Sequence, residues 1–290
     1  MGVDIILVHI GKNYPPYLND CIEQLKKYEI KVHLIISHIL LDKVKNKDII
    51  LSKVEDYIND DYNNFNIKGY DINFRDGFWN STTSRFFILN EYCNRNNINN
   101  FFHIENDNLI YDNLIEVKNK LSNIDKDMFV VIDSENRAIP SFIFIKDNYI
   151  LKSFCDYLIL NQHKNDMNNL FDFFISNDKV GNLPIIPSNY NKKLVSLNGV
   201  YSSGKINYSN FYDILNCIFD GAAIGQYIGG VDPRNQMGDT KGFINETTIF
   251  NVSNNEYYST DNGYYMFTNN NKIKIVNLHI HSKNLNLFRI

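Results

Sequence analysis

The chain has 290 residues, with 29 basic and 33 acidic side chains and a formal net charge of −4. A slightly acidic chain lacks the general basic field that holds nucleic-acid proteins to their partner, so no nucleic-acid partner is expected. The 44% apolar content, with 20 Phe and 19 Tyr, excludes disorder over most of the length and allows a sizeable core.

Apolar runs such as Ile5 to Val8 and Met128 to Ile132 are far shorter than the ~20 residues of a membrane span. The start Met1-Gly2-Val3-Asp4 has no basic stretch followed by an apolar one, so no signal peptide is expected and the location implied is cytoplasmic. Gly2 stands at a myristoylation position, but Ile6 occupies the Ser/Thr place of that motif. The four cysteines, Cys21, Cys93, Cys155 and Cys217, lie far apart and read as reduced, partly buried thiols. There are 46 Asn, so the three glycosylation sequons, at Asn80, Asn245 and Asn251, read as accidents of composition.

In chain order, Asp4 to Ile10 is a short, β-branched apolar run that predicts a buried strand. Gly11 to Pro16 breaks it, and Tyr17, Leu18, Cys21, Ile22 and Leu25 recur at helical spacing. Lys31 to Ser37 predicts a second buried strand. Strand, helix, strand is a βαβ unit and implies a parallel sheet. The polar stretch from Asp42 to Asp71 carries a weak helical signal, and Ser84 to Cys93 predicts a helix. A strand at Asn100 to Ile104 ends in Glu105-Asn106-Asp107. A helix from Asp112 to Leu121, strands at Met128 to Asp133 and Ser141 to Ile145, and a helix from Asp147 to Leu160 follow.

The second half is less regular. It holds a turn-rich patch from Gly181 to Asn191, a helix-like run from Phe211 to Gly221, a Gly/Asp/Asn-rich loop from Gly229 to Gly242, and β-rich segments that include Lys272 to His281. There is no internal repeat and no Ser/Gly linker. One domain spanning 1–290 is expected, with a nucleotide-binding half at 1–146 and an acceptor-shaping half at 147–290.

Two stretches carry chemistry. In Phe101-Phe102-His103-Ile104-Glu105-Asn106-Asp107 an apolar strand ends in two carboxylates one residue apart. In open α/β sheets that carboxyl edge is where ligands bind, and paired oxygen ligands suit a hard divalent ion such as Mg²⁺ or Mn²⁺. In Val276-Asn277-Leu278-His279-Ile280-His281-Ser282-Lys283 the two imidazoles share one face of an extended segment, and Lys283 joins them if the strand continues. Imidazole is a frequent metal ligand, and an ammonium complements phosphate. Read singly, an acidic turn after a strand and a pair of structural histidines account for the same residues.

Together with the βαβ start, these stretches resemble the metal-dependent nucleotide-sugar glycosyltransferases of the GT-A fold. His103-Ile104-Glu105-Asn106-Asp107 looks like their Asp-x-Asp motif with Glu in the first place, and Leu278 to Lys283 is similar to the C-terminal His/Lys segment of several retaining members. Phe219-Asp220-Gly221-Ala222-Ala223-Ile224-Gly225-Gln226-Tyr227 also resembles a segment of uncharacterised glycosyltransferase-like proteins of bacteria and giant DNA viruses.

The resemblance implies an α/β fold of GT-A type. Its central sheet would be Rossmann-like, mixed and mainly parallel, flanked by helices, with a smaller β-rich C-terminal acceptor region. It implies Mn²⁺ or Mg²⁺ as cofactor, held by Asp107, Glu105 and either His279 or His281. It implies a nucleotide-sugar donor of UDP type, a hydroxyl acceptor on a glycan, protein or small molecule, and transfer either with inversion, through a carboxylate base, or with retention, which the C-terminal His/Lys segment slightly favours. His9, Gly11, Arg85, Glu105, Asn106 and Lys283 are the expected donor contacts. A Gly at the end of the first strand admits a close backbone approach, and a guanidinium grips phosphate through paired hydrogen bonds. The only Trp, in Gly77-Phe78-Trp79, reads as core packing or as a sugar or base platform. Asp220, Asp239 and Glu246 are the expected candidates for a base on the acceptor hydroxyl. Two alternatives stand beside this reading: a metal-dependent phosphoester hydrolase, which would use the same acidic edge, and a non-enzymatic carbohydrate-binding module, which the Tyr and Asn richness fits.

Overall fold

The protein is described from a computed structural model, which covers residues 2–235 and 240–290. In chain order the strands are β1 (Val3–His9), β2 (Ile30–Ile36), β3 (Ile50–Lys53), β4 (Phe101–Ile104), β5 (Asn108–Ile110), β6 (Met128–Ile132), β7 (Ala138–Ile145), β8 (Val180–Leu183), β9 (Cys217–Ile218), β10 (Glu256–Thr260), β11 (Gly263–Thr268), β12 (Asn271–Ile275) and β13 (Asn277–His279). The helices are α1 (Tyr17–Leu25), α2 (Asp60–Asn64), α3 (Phe78–Asn96), α4 (Ile115–Ser122), α5 (Asn148–Leu160), α6 (Asp166–Ser176), α7 (Tyr212–Leu215) and α8 (Ala223–Gly229).

Seven strands form one sheet in the order β3-β2-β1-β4-β7-β6-β8. All run parallel except β7, which is antiparallel to both β4 and β6. This is the mixed, mainly parallel α/β sheet flanked by helices that the sequence implies. Two smaller sheets accompany it, β10-β11-β12-β9 and the pair β13-β5, and they supply the β-rich C-terminal region.

The sheet centre is buried on both faces, which is why its strands read as largely apolar runs rather than as alternating ones. Phe102 packs against Phe142 and Phe144 across the β4–β7 pair, with ring centroids 5.2 and 4.9 Å apart. Each fully buried Phe contributes roughly 2–3 kcal/mol of transfer free energy. β1 lies between β2 and β4, and all three point their carboxyl ends to the same edge. That edge is formed by His9 at the end of β1, Gly11 after it, Ser37 after β2, and Glu105 to Asp107 after β4.

Several elements differ from the sequence expectation. The stretch from 42 to 71 contains the edge strand β3, paired in parallel with β2. Its Ile50 and Leu51 are exposed, so no burial pattern marked it in the sequence. The helix expected at 84–93 begins earlier, at Phe78, where Gly77 in the left-handed region (φ 84°) turns the chain into α3. α6 was not expected. Its Asn165 cap accepts the Asn168 N–H, and its buried Leu170, Phe171 and Phe173 sit among polar residues that masked the period. The helix-like run from 211 to 221 holds only the four-residue α7, followed by β9. All four cysteines are buried free thiols. Among the described residues no helix is long and apolar enough to cross a membrane.

Candidate active site

Glu105, Asn106 and Asp107 form a tight turn between β4 and β5, closed by the Asn108 N–H donating to the Glu105 carbonyl (3.1 Å). The turn sends the two carboxylates to one side and Asn106 to the other. Asn106 reaches back to β1, its amide 3.2 Å from His9 Nδ1 and 3.4 Å from the Val8 carbonyl. His9 donates through Nε2 to the Asn13 carbonyl (2.9 Å), so its Nδ1 is an acceptor for Asn106. Burial pushes the His9 imidazole below its usual range, despite the bond to Asn13. Gly11 adopts φ 150°, which a side chain rarely tolerates, and its N–H donates to Ser37 Oγ (3.0 Å).

The C-terminal segment arrives at the same corner. β13 pairs antiparallel with β5, with His279 opposite Asn108, and the Ile280 N–H donates to the Asp107 carbonyl (2.9 Å). This register sets His279 Nε2 3.1 Å from Asp107 Oδ2 and 3.5 Å from Glu105 Oε2. Nδ1 donates to the Gly221 carbonyl (2.6 Å). Glu105, Asp107 and His279 each offer a ligand atom, all within 4.8 Å of one another. Two hard oxygens and one imidazole whose other nitrogen is tied to a carbonyl form a donor set that could hold a divalent metal ion.

Cationic groups neutralise the corner. Lys283 Nζ pairs with Asp107 Oδ2 and lies 5.5 Å from the centre of the Tyr17 ring. Its backbone sits in the left-handed region (φ 67°), where the turn from Ile280 places it. Arg85, buried on α3, bridges Glu105 Oε1 (2.7 Å) and Asp166 Oδ2 (3.2 Å). Burial alone would raise the Asp107 carboxyl, but the charges of His279 and Lys283 outweigh it and hold the group well below the usual range. Burial opposes the charge on His279, yet Asp107, and then Glu105, raise the imidazole to about 9. Burial also opposes the Lys283 charge, and Asp107 again prevails, so its ammonium is raised. Asp166 is the reverse case, since burial lifts it to about 6 although Arg85 pulls it down.

Of the residues expected from sequence, Glu105, Asp107, His279, Lys283 and Arg85 come together here, with His9, Asn106 and Gly11 beside them on the sheet edge. His281 takes a different place. Its ring centroid is 5.9 Å from that of His279, and its Nδ1 accepts the Asp232 N–H (3.0 Å) rather than joining the carboxylates. Burial, then Lys283 and His279, lower its pKa to about 3. Of the two histidines, the geometry selects His279 as the candidate ligand.

Asp220 is buried, with its carboxylate committed to backbone. Oδ1 accepts the Ile224 N–H (2.9 Å), and Oδ2 accepts those of Gly225 (2.9 Å) and His279 (3.1 Å). That geometry does not fit the expected role of base on an acceptor hydroxyl, because both oxygens are already engaged. Glu246 is exposed on a loop whose backbone meets Asn198. Asp239 lies outside the described residues. Trp79 packs in an aromatic group with Tyr70, Phe74 and Phe78, and stacks on Phe74 at 5.9 Å.

Two residues of this region were not singled out from the sequence. Asp166 occupies the first turn of α6, where the helix dipole favours a carboxylate. The Asn165-Asp166 pair ahead of Leu170 and Phe173 was the available signal. Asp232 accepts from Arg234 and from Arg75, which ties the 230–235 loop to the segment before α3. Burial would raise the Asp232 carboxyl, but hydrogen bonds from Arg234 carry it down to about 2.

No protein family matches the chain, and no curated protein matches its sequence. Among solved structures, it is similar to the glycosyltransferase GlyE of Streptococcus pneumoniae, at 8% identity and a TM-score of 0.40. The match covers 63% of this chain and 45% of that one. It is also similar to a cytidylyltransferase from Leptospira borgpetersenii, at 12% identity and a TM-score of 0.37, over 73% of this chain and 91% of that one. The chain spans less than half the length of the first protein. Likeness at this level assigns no activity and no residue role.

Proposed function

We propose that this protein is a glycosyltransferase. It moves a sugar from a nucleotide-diphosphate donor, a UDP-sugar by the family resemblance, to a hydroxyl of a glycan, protein or small-molecule acceptor. The observation that carries the reading is the convergence of Glu105, Asp107 and His279 at the carboxyl end of β4, with Lys283 on the same carboxylate. A Mn²⁺ or Mg²⁺ ion held by those three residues would supply Lewis-acid stabilisation of a diphosphate leaving group.

The chain's own residues account for the rest. In the metal-free protein Glu105, Asp107 and Asp166 face Arg85, Lys283 and the imidazolium of His279, so the corner is close to neutral. With a divalent ion held there and His279 neutral, the corner would be net positive, which would suit a diphosphate. Lys283, beside the same carboxylate, would offer an ammonium to phosphate oxygens. Arg85, held between Glu105 and Asp166, would add positive charge beside the diphosphate. His9, Asn106 and Gly11 line the β1 edge, where a nucleoside would lie against backbone. These dipoles and charges are in place before the leaving group develops its charge, the arrangement that lowers such barriers most.

In one domain, 1–146 would form the donor side and 147–290 the acceptor side, with the C-terminal segment of the latter serving metal and diphosphate. With Asp220 committed to backbone, a base from the protein would come from Glu246 or Asp239. With retention, the leaving phosphate would take the acceptor proton, the course that the family resemblance of the C-terminal His/Lys segment favours. Hydrolysis of phosphoesters by a metal pair is the weaker reading. Among the described residues Glu105, Asp107 and His279 are the one group of three or more candidate ligands, and a two-metal site needs more.

Thermal unfolding with UDP, with and without Mn²⁺, tests the proposal. Stabilisation by UDP only in the presence of the metal is expected, followed by sugar release from one member of a UDP-sugar panel. A UDP effect that ignores the metal, or no UDP effect at all, would count against it.

A further inference from the structure

β13 is three residues long and is flanked on one side by β5, itself three residues long. A two-stranded ladder of that length is marginal by itself. The His279 N–H does not donate to β5; it donates to Asp220 Oδ2, 3.1 Å away. The other Asp220 contacts hold it rigidly against the same strand. Asn277 on β13 accepts the Asp220 N–H (3.2 Å), donates to the Asp220 carbonyl (2.8 Å), and donates to Asn108 Oδ1 on β5 (3.1 Å). Ser141 Oγ on β7 donates to the same Asp220 carbonyl (3.3 Å), and Asn108 returns a bond to the Ser141 carbonyl (2.6 Å).

The adjoining Gly221 carbonyl holds His279 Nδ1. The start of α8 presses against the strand so closely that a Cβ on Gly225 would stand 1.9 Å from the His279 carbonyl oxygen. Burying a carboxylate whose partners are backbone N–H groups is costly unless those bonds are all made, and here three are.

We propose that Asp220 is the positioning residue of the divalent-cation site. Its carboxylate stands where a third strand would, and with the Gly221 carbonyl it fixes both backbone and ring of His279, so that Nε2 stays aimed at Glu105 and Asp107. The inference rests on the cation reading of that corner. Asp220 does not touch the ion; it acts through His279, as outer-shell partners of metal-binding imidazoles do. The sequence Asp220-Gly221 therefore belongs to the metal site although it lies 59 positions before His279.

The test is Mn²⁺ binding followed by the electron paramagnetic resonance signal of the free ion, with the full chain and no substrate. Four proteins are compared: the unaltered chain, Asp220→Ala, Asp220→Asn and Asp4→Asn. Asp4 accepts from His33 at 2.9 Å in a polar network on β1 and β2, so its variant controls for general loss of stability. Asp220→Ala is expected to weaken Mn²⁺ binding by about 10–100-fold. Asp220→Asn keeps the shape and one acceptor oxygen but turns an amide NH₂ towards a donor, and it is expected to weaken binding by a smaller factor. Asp4→Asn is expected to leave the affinity unchanged.

If Asp220→Ala does not fold, Asp220→Asn decides the matter. Affinity within twofold of the unaltered chain overturns the inference. Failure of the unaltered chain to bind Mn²⁺ overturns the cation reading instead, so the two failures are told apart.

Discussion

His279 and Asp107 stand 172 positions apart in the chain and meet through a 3.1 Å bond between Nε2 and Oδ2. Neither residue sits on the large sheet. His279 ends β13, Asp107 is the turn residue just before β5, and the register of that small pair sets their separation. The site is thus a property of a short ladder at the sheet edge, and it is sensitive to whatever moves either strand.

Asp107→Asn should abolish metal-dependent stabilisation by UDP. It should also cost about 3 kcal/mol of stability, because it leaves the buried His279 and Lys283 without their shared counter-charge. Differential scanning calorimetry with and without Mn²⁺ and UDP reads both effects. A variant that still gains stability from UDP plus Mn²⁺ would remove Asp107 from the site.

Lys283→Gln separates the ammonium from the metal ligands. Asp107 Oδ2 would no longer be shared with a cation, so Mn²⁺ affinity should be equal to or tighter than that of the unaltered chain. UDP affinity in the presence of Mn²⁺ should fall at least about tenfold, since a charged hydrogen bond to phosphate is lost. Titration calorimetry for each ligand in turn checks the two opposite signs. Parallel losses of both would mean that Lys283 only supports the fold.

Gly225→Ala should destabilise the protein by about 2–3 kcal/mol or more, because the added methyl meets backbone rather than a flexible side chain. Gly242→Ala makes a useful contrast. A Cβ there has open space around it, and its cost comes only from the positive φ of 84°. The midpoint of urea unfolding for the two variants ranks them.

His103, on β4 in the core, donates Nδ1 to the Ile6 carbonyl (2.9 Å) and is 1% exposed. Burial, with Arg85 nearby, lowers its pKa to about 3, from an ordinary value of 6.5. Between those values the unfolded chain binds a proton that the folded one does not. His103 therefore makes stability fall as pH drops below 6.5, by about 1.4 kcal/mol per pH unit until about pH 3. His103→Asn keeps a donor without the titration. It should be less stable at pH 7, yet lose less between pH 6.5 and 4.5, by about 2 kcal/mol, when urea unfolding is followed across that range.

The βαβ start, the central strands and the acidic turn were legible in the sequence because each is written in local pattern. β1, β2, β4 and β6 are mostly buried on both faces, so each reads as an apolar run with few polar residues, and Glu105 and Asp107 follow one of those runs directly. β3 and α6 were hidden for the opposite reason. β3 exposes its large residues at the sheet edge, and α6 intersperses its apolar residues with Asn and Asp.

The sequence by itself determined which residue types could bind a cation, and that they lie in two stretches far apart along the chain. It left His279 and His281 equivalent, because alternation on an extended segment puts both on one face. Tertiary structure separated them. The strand ends at His279, the chain turns, and His281 finds the Asp232 N–H instead of the carboxylates. It likewise decided that Asp220 serves backbone and that Asp166 reaches Arg85. Hydrogen bonds and charge pairs between distant segments leave no period in the sequence, since their partners are chosen by packing and register rather than by spacing along the chain.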